Sequence, residues 1–249
     1  MGGENATFPP TLWSEVLAAR DASTDRRRHA FDRLLERYWK PVYAFLRFEL
    51  RADSERSKDL TQAFFASMFE RGALARVGPE RGRFRSFLRV AVRNFARNVL
   101  RDEGAKKRGG RHVQMPSAEL LALADREAGP AANAEEAFDS AWRLEVLRRG
   151  HEATRDHFLS TGRDKTWQVF EAIALESDER PSYRQVADRL GLSVSDVTNH
   201  LHAARKRLKA TLREILLEGL TDPADLEEEW GFVLRGGAGG GPSGETRGS

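Results

Sequence analysis

Along nearly the whole chain, apolar residues recur at three- and four-residue steps, and this regularity restricts the fold more than any composition figure. Phe31, Leu34, Leu35, Tyr38, Val42, Phe45 and Leu46 form one series, and Leu60, Phe64, Met68 and Phe69 a second. A third runs Phe84, Phe87, Leu88, Ala91, Val92, Phe95, Val99. A helix turns once every 3.6 residues, so each series makes one apolar face. No stretch of useful length alternates apolar with polar residues, so no sheet is expected. The fold class expected is all-α. Pro41 lies inside the first series; having no N–H to donate, it is expected to kink or break that helix near Trp39–Lys40.

A length of 249 residues allows one large or two small domains. The texture changes after Gly104: a basic cluster (Lys106, Lys107, Arg108, Arg111) leads into a stretch rich in Pro, Gly and Ala, with Pro116, Gly129 and Pro130. The expected organisation is a flexible N-terminus at 1–11, a helical domain at 12–111 and a flexible linker at 112–134. A second helical domain follows at 135–220, then an acidic helix at 221–235 opened by Asp222-Pro223. In the first domain, Leu12, Val16 and Leu17 suggest a short opening helix. A turn of helix is expected at Ala118–Asp125 in the linker. The glycine-rich tail 236–249 has nothing to pack and is expected to be disordered.

Composition excludes several kinds of chemistry. Cysteine is absent, which removes disulfides, thiolate metal sites and cysteine nucleophiles. No apolar run is long enough for a membrane span, and the first ten residues lack a signal core, so a cytoplasmic protein is expected. The net charge of +3 comes from 41 basic and 38 acidic residues, so the placement of charge has to decide whether nucleic acid is a partner.

Two segments place it suggestively. Ser182-Tyr-Arg-Gln185 reads as a capping box opening a short helix with Val186, Ala187 and Leu190 inward. Gly191 allows a tight exit and Leu192 plugs the corner. Ser193 caps a longer helix whose inward residues are Val197, Leu201, Ala204 and Leu208. Its outward residues are Ser195, Asp196, Thr198, Asn199, His202, Arg205, Lys206 and Lys209. A short helix, a glycine turn and a longer helix with a polar face is a DNA-reading arrangement. Asn199 could read adenine, while Arg205 and Lys206 suit phosphates or guanine edges. Asp196 would sit close to phosphates and weaken binding. A plain helical hairpin with a solvated basic face would show the same pattern.

The second segment is a ridge of arginines. Arg85, Arg89, Arg93, Arg97 and Arg101 recur every fourth residue, with Asn94 and Asn98 beside them. Asp102 and Glu103 are nearly the only acids close in sequence, so an anionic partner is expected to supply the compensating charge.

Taken together, these segments resemble a bacterial RNA polymerase sigma factor of the extracytoplasmic-function (ECF) type, in a branch seen in planctomycetes. The resemblance rests on Ala30-Phe-Asp-Arg-Leu-Leu, Tyr38-Trp-Lys-Pro-Val-Tyr43, Asp59-Leu-Thr-Gln-Ala-Phe-Phe65 and Gly82-Arg-Phe-Arg-Ser-Phe-Leu88. Asn94, Asn98, Lys106-Lys-Arg-Gly-Gly110 and the helix-turn-helix Ser182–Leu208 complete it. It implies a sigma region 2 bundle over 12–111 and a sigma region 4 helix-turn-helix over 135–220. Asp59, Leu60, Gln62 and Phe65 would then meet the clamp coiled coil of core RNA polymerase. Arg89, Arg93, Asn94, Arg97, Asn98, Arg101, Lys106, Lys107 and Arg108 would hold single-stranded DNA at the −10 element. Ser195, Thr198, Asn199, His202, Arg205 and Lys206 would face duplex DNA at −35, with the flap of the large subunit as a further partner. Thr198, Asn199 and His200 stand where many members carry Arg or Lys, so no base preference transfers.

The competing class is a stand-alone helix-turn-helix repressor, which leaves the arginine ridge and the Asp59 segment without a role. An enzyme is not expected: no phosphate-binding loop or His-Glu-x-x-His motif occurs, and the six histidines are scattered. No metal and no cofactor are implied. The polymerase-gripping segment is poor in acids, with Lys58 before Asp59 and Ala63 after Gln62. A phosphate on Thr61, or less favourably Ser57, would add the missing charge and make a Ser/Thr kinase the regulator. The alternatives are control by an anti-sigma factor, and Thr61 as a plain helix-surface residue with the grip made by Leu60, Gln62 and the phenylalanines.

Overall fold

A computed structural model describes residues 24–70, 83–105, 131–174, 181–220 and 222–235. The short helix expected at 12–17, the linker turn at 118–125 and the glycine-rich tail lie outside the described residues. The chain is all-helical: α1 (Thr24–Glu49), α2 (Ser54–Glu70), α3 (Phe84–Ala105), α4 (Ala134–Ser160), α5 (Asp164–Ala174), α6 (Tyr183–Leu190), α7 (Val194–Glu218), a 3-10 turn (Pro223–Asp225) and α8 (Leu226–Arg235). No strand occurs among the described residues.

Of the expected kink or break at Pro41, the break does not occur; α1 runs through the proline for 26 residues. The reason lies in packing. Leu34, Tyr38, Val42, Phe45 and Leu46 on either side of the proline are all buried on one face. Losing that face would cost more than the one backbone hydrogen bond that proline removes. The third helix is described as far as Ala105.

Two compact units divide the chain, one holding residues 1–144 and 218–249 and the other residues 145–217. The division falls inside α4, not at the linker expected at 112–134. The first eleven residues of α4 belong with the first unit because their side chains serve it: Phe138 is fully buried and Trp142 nearly so. The terminal α8 joins the same unit through Glu229 and Val233, both buried.

In the first unit, Phe64, Phe65 and Met68 of α2 and Phe84, Leu88, Val92 and Ala96 of α3 are buried along with the apolar face of α1. Tyr38 meets Phe84 at 5.3 Å between ring centroids, and Phe64 meets Phe95 edge-on at 5.5 Å. Burial pushes the Tyr38 hydroxyl pKa up to about 12. The α2 N-terminus is capped by Asp53, whose carboxylate accepts from the Arg56 amide at 2.9 Å.

In the second unit, Phe158, Trp167, Val169, Phe170 and Ile173 pack with Val186, Ala187, Val197, Leu201 and Ala204. Gly150 lets α4 and α7 approach closely; a Cβ there would lie 2.3 Å from a terminal carbon of Leu212.

Candidate nucleic-acid interface

The helix-turn-helix forms as its sequence implies. Ser182 accepts from the Gln185 amide at 3.3 Å, and the Gln185 side chain accepts from the Ser182 amide at 2.7 Å, completing the box. Gly191 closes α6 in the left-handed region (φ 62°, ψ 43°), a conformation that a Cβ disfavours. The amide of Leu192 donates back to the Ala187 carbonyl at 2.9 Å, fixing the corner. Val186, Val197, Leu201 and Ala204 are buried, with Leu190, Leu192 and Leu208 packed against them in part.

That burial turns the other face of α7 outward. Ser195, Thr198, Asn199, His202, Arg205 and Lys206 are all exposed, so the structure brings the six predicted residues onto one accessible surface. Asp196, expected to oppose phosphates, has a local task. Its carboxylate accepts from the Ser193 hydroxyl at 2.7 Å and the Ser193 amide at 3.1 Å, while the Asp196 amide donates to the Ser193 oxygen. This is a second capping box, and the Ser193 hydroxyl bond first, then its amide bond, lower the Asp196 pKa below its ordinary 3.8. A depressed folded-state pKa contributes stability above the unfolded value, and that contribution is lost as pH falls through the folded one. Asp196→Asn should therefore flatten the acid limb of the second unit's pH–stability curve below about pH 4. Urea titrations across that range would read it, and an unchanged acid limb would reject the capping role.

One scaffold contact to α7 has no signature in the sequence. The Thr166 hydroxyl of α5, itself buried, lies 2.8 Å from Nδ1 of His200, next to Asn199. It anchors the inner side of the helix that displays the polar face.

The arginine ridge of α3 does not wait for an external anion along its full length. Arg83 donates to Glu229 at 3.0 Å, to Asp225 at 3.4 Å and to Glu228, and these carboxylates raise its pKa further. Arg85 donates to Asp139 at 2.7 Å and to Glu229 at 2.9 Å, with its guanidinium 4.6 Å from the Trp142 ring centroid and 4.3 Å from that of Phe232. Arg89 donates to the other oxygen of Asp139 at 2.9 Å, and Arg93 to Glu135. The expectation that compensating charge comes from outside is thus corrected for Arg85, Arg89 and Arg93, and Arg83, just before α3, is paired in the same way. The acids come from α4 and from the α8 end of the chain, more than forty residues away in sequence. Glu135 and Asp139 are four residues apart, as are Arg93 and Arg89, and that matched spacing was the available signal.

Further along, the ridge opens. Asn94, Arg97, Asn98 and Arg101 are exposed, and Arg101 donates to the Asn98 side-chain oxygen at 3.1 Å. No carboxylate partner for Arg97 occurs among the described residues. Lys106, Lys107 and Arg108 lie outside the described residues.

On α2, Asp59, Leu60 and Gln62 are partly exposed, as a docking surface requires. Phe65 is not part of it: only 2% exposed, it stacks on Trp39 and meets Phe64 edge-on, so it is a core residue. The proposed modification site is also corrected. Thr61 is fully buried and its hydroxyl donates to the Ser57 carbonyl at 2.7 Å. Ser57 is equally buried, bonded to the Asp53 carbonyl. Neither hydroxyl is open to a kinase in this conformation. Lys58 is neutralised locally by Glu55 at 2.6 Å.

Among the described residues no cluster of His, Asp or Glu could hold a metal ion, and no helix is long and apolar enough to cross a membrane. No family model, no curated protein and no solved structure matches this chain.

Proposed function

We propose that this chain is an ECF-type sigma factor that binds core RNA polymerase and directs promoter-specific initiation, with no catalysis of its own. The observation that carries the reading is the exposed polar face of α7 behind a doubly capped glycine turn. A helix held this way presents Asn199 and Arg205 for the major groove of a −35 element. The exposed Asn94, Arg97, Asn98 and Arg101 on α3 offer a cationic, amide-bearing track suited to an opened strand at −10. Asp59, Leu60 and Gln62 are accessible for the polymerase clamp. Such a protein works in the cytoplasm, where transcription takes place.

The test is reconstitution with purified core polymerase. The full chain should bind core at low salt and open a promoter recovered from DNA bound alongside polymerase in cells. Arg97→Ala and Asn98→Ala should reduce opening more than −35 duplex binding. Asn199→Ala and Arg205→Ala should do the reverse, with about 1–3 kcal/mol lost per good base contact. A folded chain that fails to bind core overturns the reading, and tight binding to a duplex operator without polymerase would favour a repressor.

A further inference from the structure

The arginines of α3 differ in how firmly the chain's own acids hold them, and the order follows their position. Arg85 is only 8% exposed, paired with Asp139 and with Glu229, itself 2% exposed, and lies against two aromatic rings. Removing either partner would leave a buried charge short of a partner, so this pair is a fixed structural element. Arg89 pairs with Asp139 at intermediate burial, its side chain 29% exposed. In the Arg93–Glu135 pair the side chains are 33% and 44% exposed. Arg97 follows, exposed and without a described carboxylate partner. The ridge therefore runs from locked to open within four helical turns.

We propose that Arg89 and Arg93 form a contested cationic site: Asp139 and Glu135 occupy it in the free chain and yield it to the phosphates of a single-stranded nucleic acid. The inference rests on the function proposed above, and it adds that the chain competes with its own ligand at these two positions. The energetics favour such an exchange. A solvent-exposed ion pair contributes about 0–1 kcal/mol, so opening Arg93–Glu135 is cheap. A phosphate meeting the same arginine releases condensed counterions, a gain that a lone carboxylate does not supply. The ligand is also anchored next door: Arg97 and Arg101 lie about 6 and 12 Å further along the helix from Arg93. A strand seated there brings its next phosphates to the contested pair at high effective concentration. The carboxylates thus discriminate against single ions, which cannot use the open end, and in favour of a polyanion, which can.

The experiment uses the full chain and a labelled single-stranded oligonucleotide about 20 nucleotides long, longer than one binding site needs, read by fluorescence anisotropy at low salt. Glu135→Gln should tighten binding roughly two- to five-fold, the equivalent of one exposed pair. Asp139→Asn should act in the same direction, with thermal melting to check the fold, because Asp139 also holds Arg85. Glu152→Gln, which removes a more exposed carboxylate from Arg148 in the second unit and leaves that arginine on Glu145, should change nothing. Combining Glu135→Gln with Arg93→Ala should erase the gain, which a general loss of negative charge would not do. Unchanged affinity in Glu135→Gln, an equal gain in Glu152→Gln, or no oligonucleotide binding by any variant overturns the proposal. The core-polymerase reconstitution judges the sigma-factor reading separately, so the two can fail independently.

Discussion

Arg85→Ala should be among the most destabilising single substitutions in the first unit, lowering its stability by about 3–5 kcal/mol. The arginine is a fastener joining three chain segments: α3 supplies it, α4 supplies Asp139 and Trp142, and α8 supplies Glu229 and Phe232. Truncation leaves Glu229 buried with one fewer donor and removes the guanidinium packed against Trp142 and Phe232, whose rings are tilted at 52° with centroids 5.9 Å apart. Both effects act in the same direction. A double replacement, Arg85→Met with Glu229→Leu, should recover most of the loss, since a buried pair exchanged for apolar residues of similar volume is often neutral. Urea unfolding followed by far-ultraviolet circular dichroism measures both. If Arg85→Ala unfolds within about 1 kcal/mol of the unaltered chain, well below the range for a broken buried pair, the fastener role is wrong.

The counterpart in the second unit is Trp167→Ala, expected to lose about 3–5 kcal/mol. Trp167 is 3% exposed and meets His151 at 4.8 Å and Phe170 at 5.6 Å between ring centroids. It belongs to the same cluster as Val186, Val197 and Leu201, which set the geometry of α6 and α7. Under the proposed function, loss of this ring should also weaken duplex DNA binding, although Trp167 is not on the exposed face of α7. A thermal melt and a duplex-binding titration on one preparation would check it. A large drop in stability with unchanged affinity well below the new transition would mean that the reading face does not depend on this core.

Local chemistry was legible from the residues in order. The helical class follows from the apolar period, because a 3.6-residue repeat leaves one face to bury whatever it packs against. The Ser182–Gln185 capping box, the Ser193 cap, the tight exit at Gly191 and the inward residues of the helix-turn-helix are near-neighbour effects, each decided within four residues. The exposure of Asn199, Arg205 and Lys206 follows from the burial of their neighbours. Asp196 was legible only as a liability to phosphates, and its hydrogen bonds to Ser193 add a capping role.

What tertiary structure alone decided was pairing across long sequence separations. A run of arginines with few acids nearby reads as an exposed basic ridge, yet Glu135, Asp139 and Glu229 neutralise its first half from distant helices. Pro41 sits inside an unbroken helix because a buried face spans it. Phe65 and Thr61 lie on the packed side of α2, although a helical period alone does not say how wide the buried stripe is. Sequence order fixes what each residue can do with neighbours one turn away. Electrostatic partners and the width of a core face depend on which helices meet, and only the packed chain determines that.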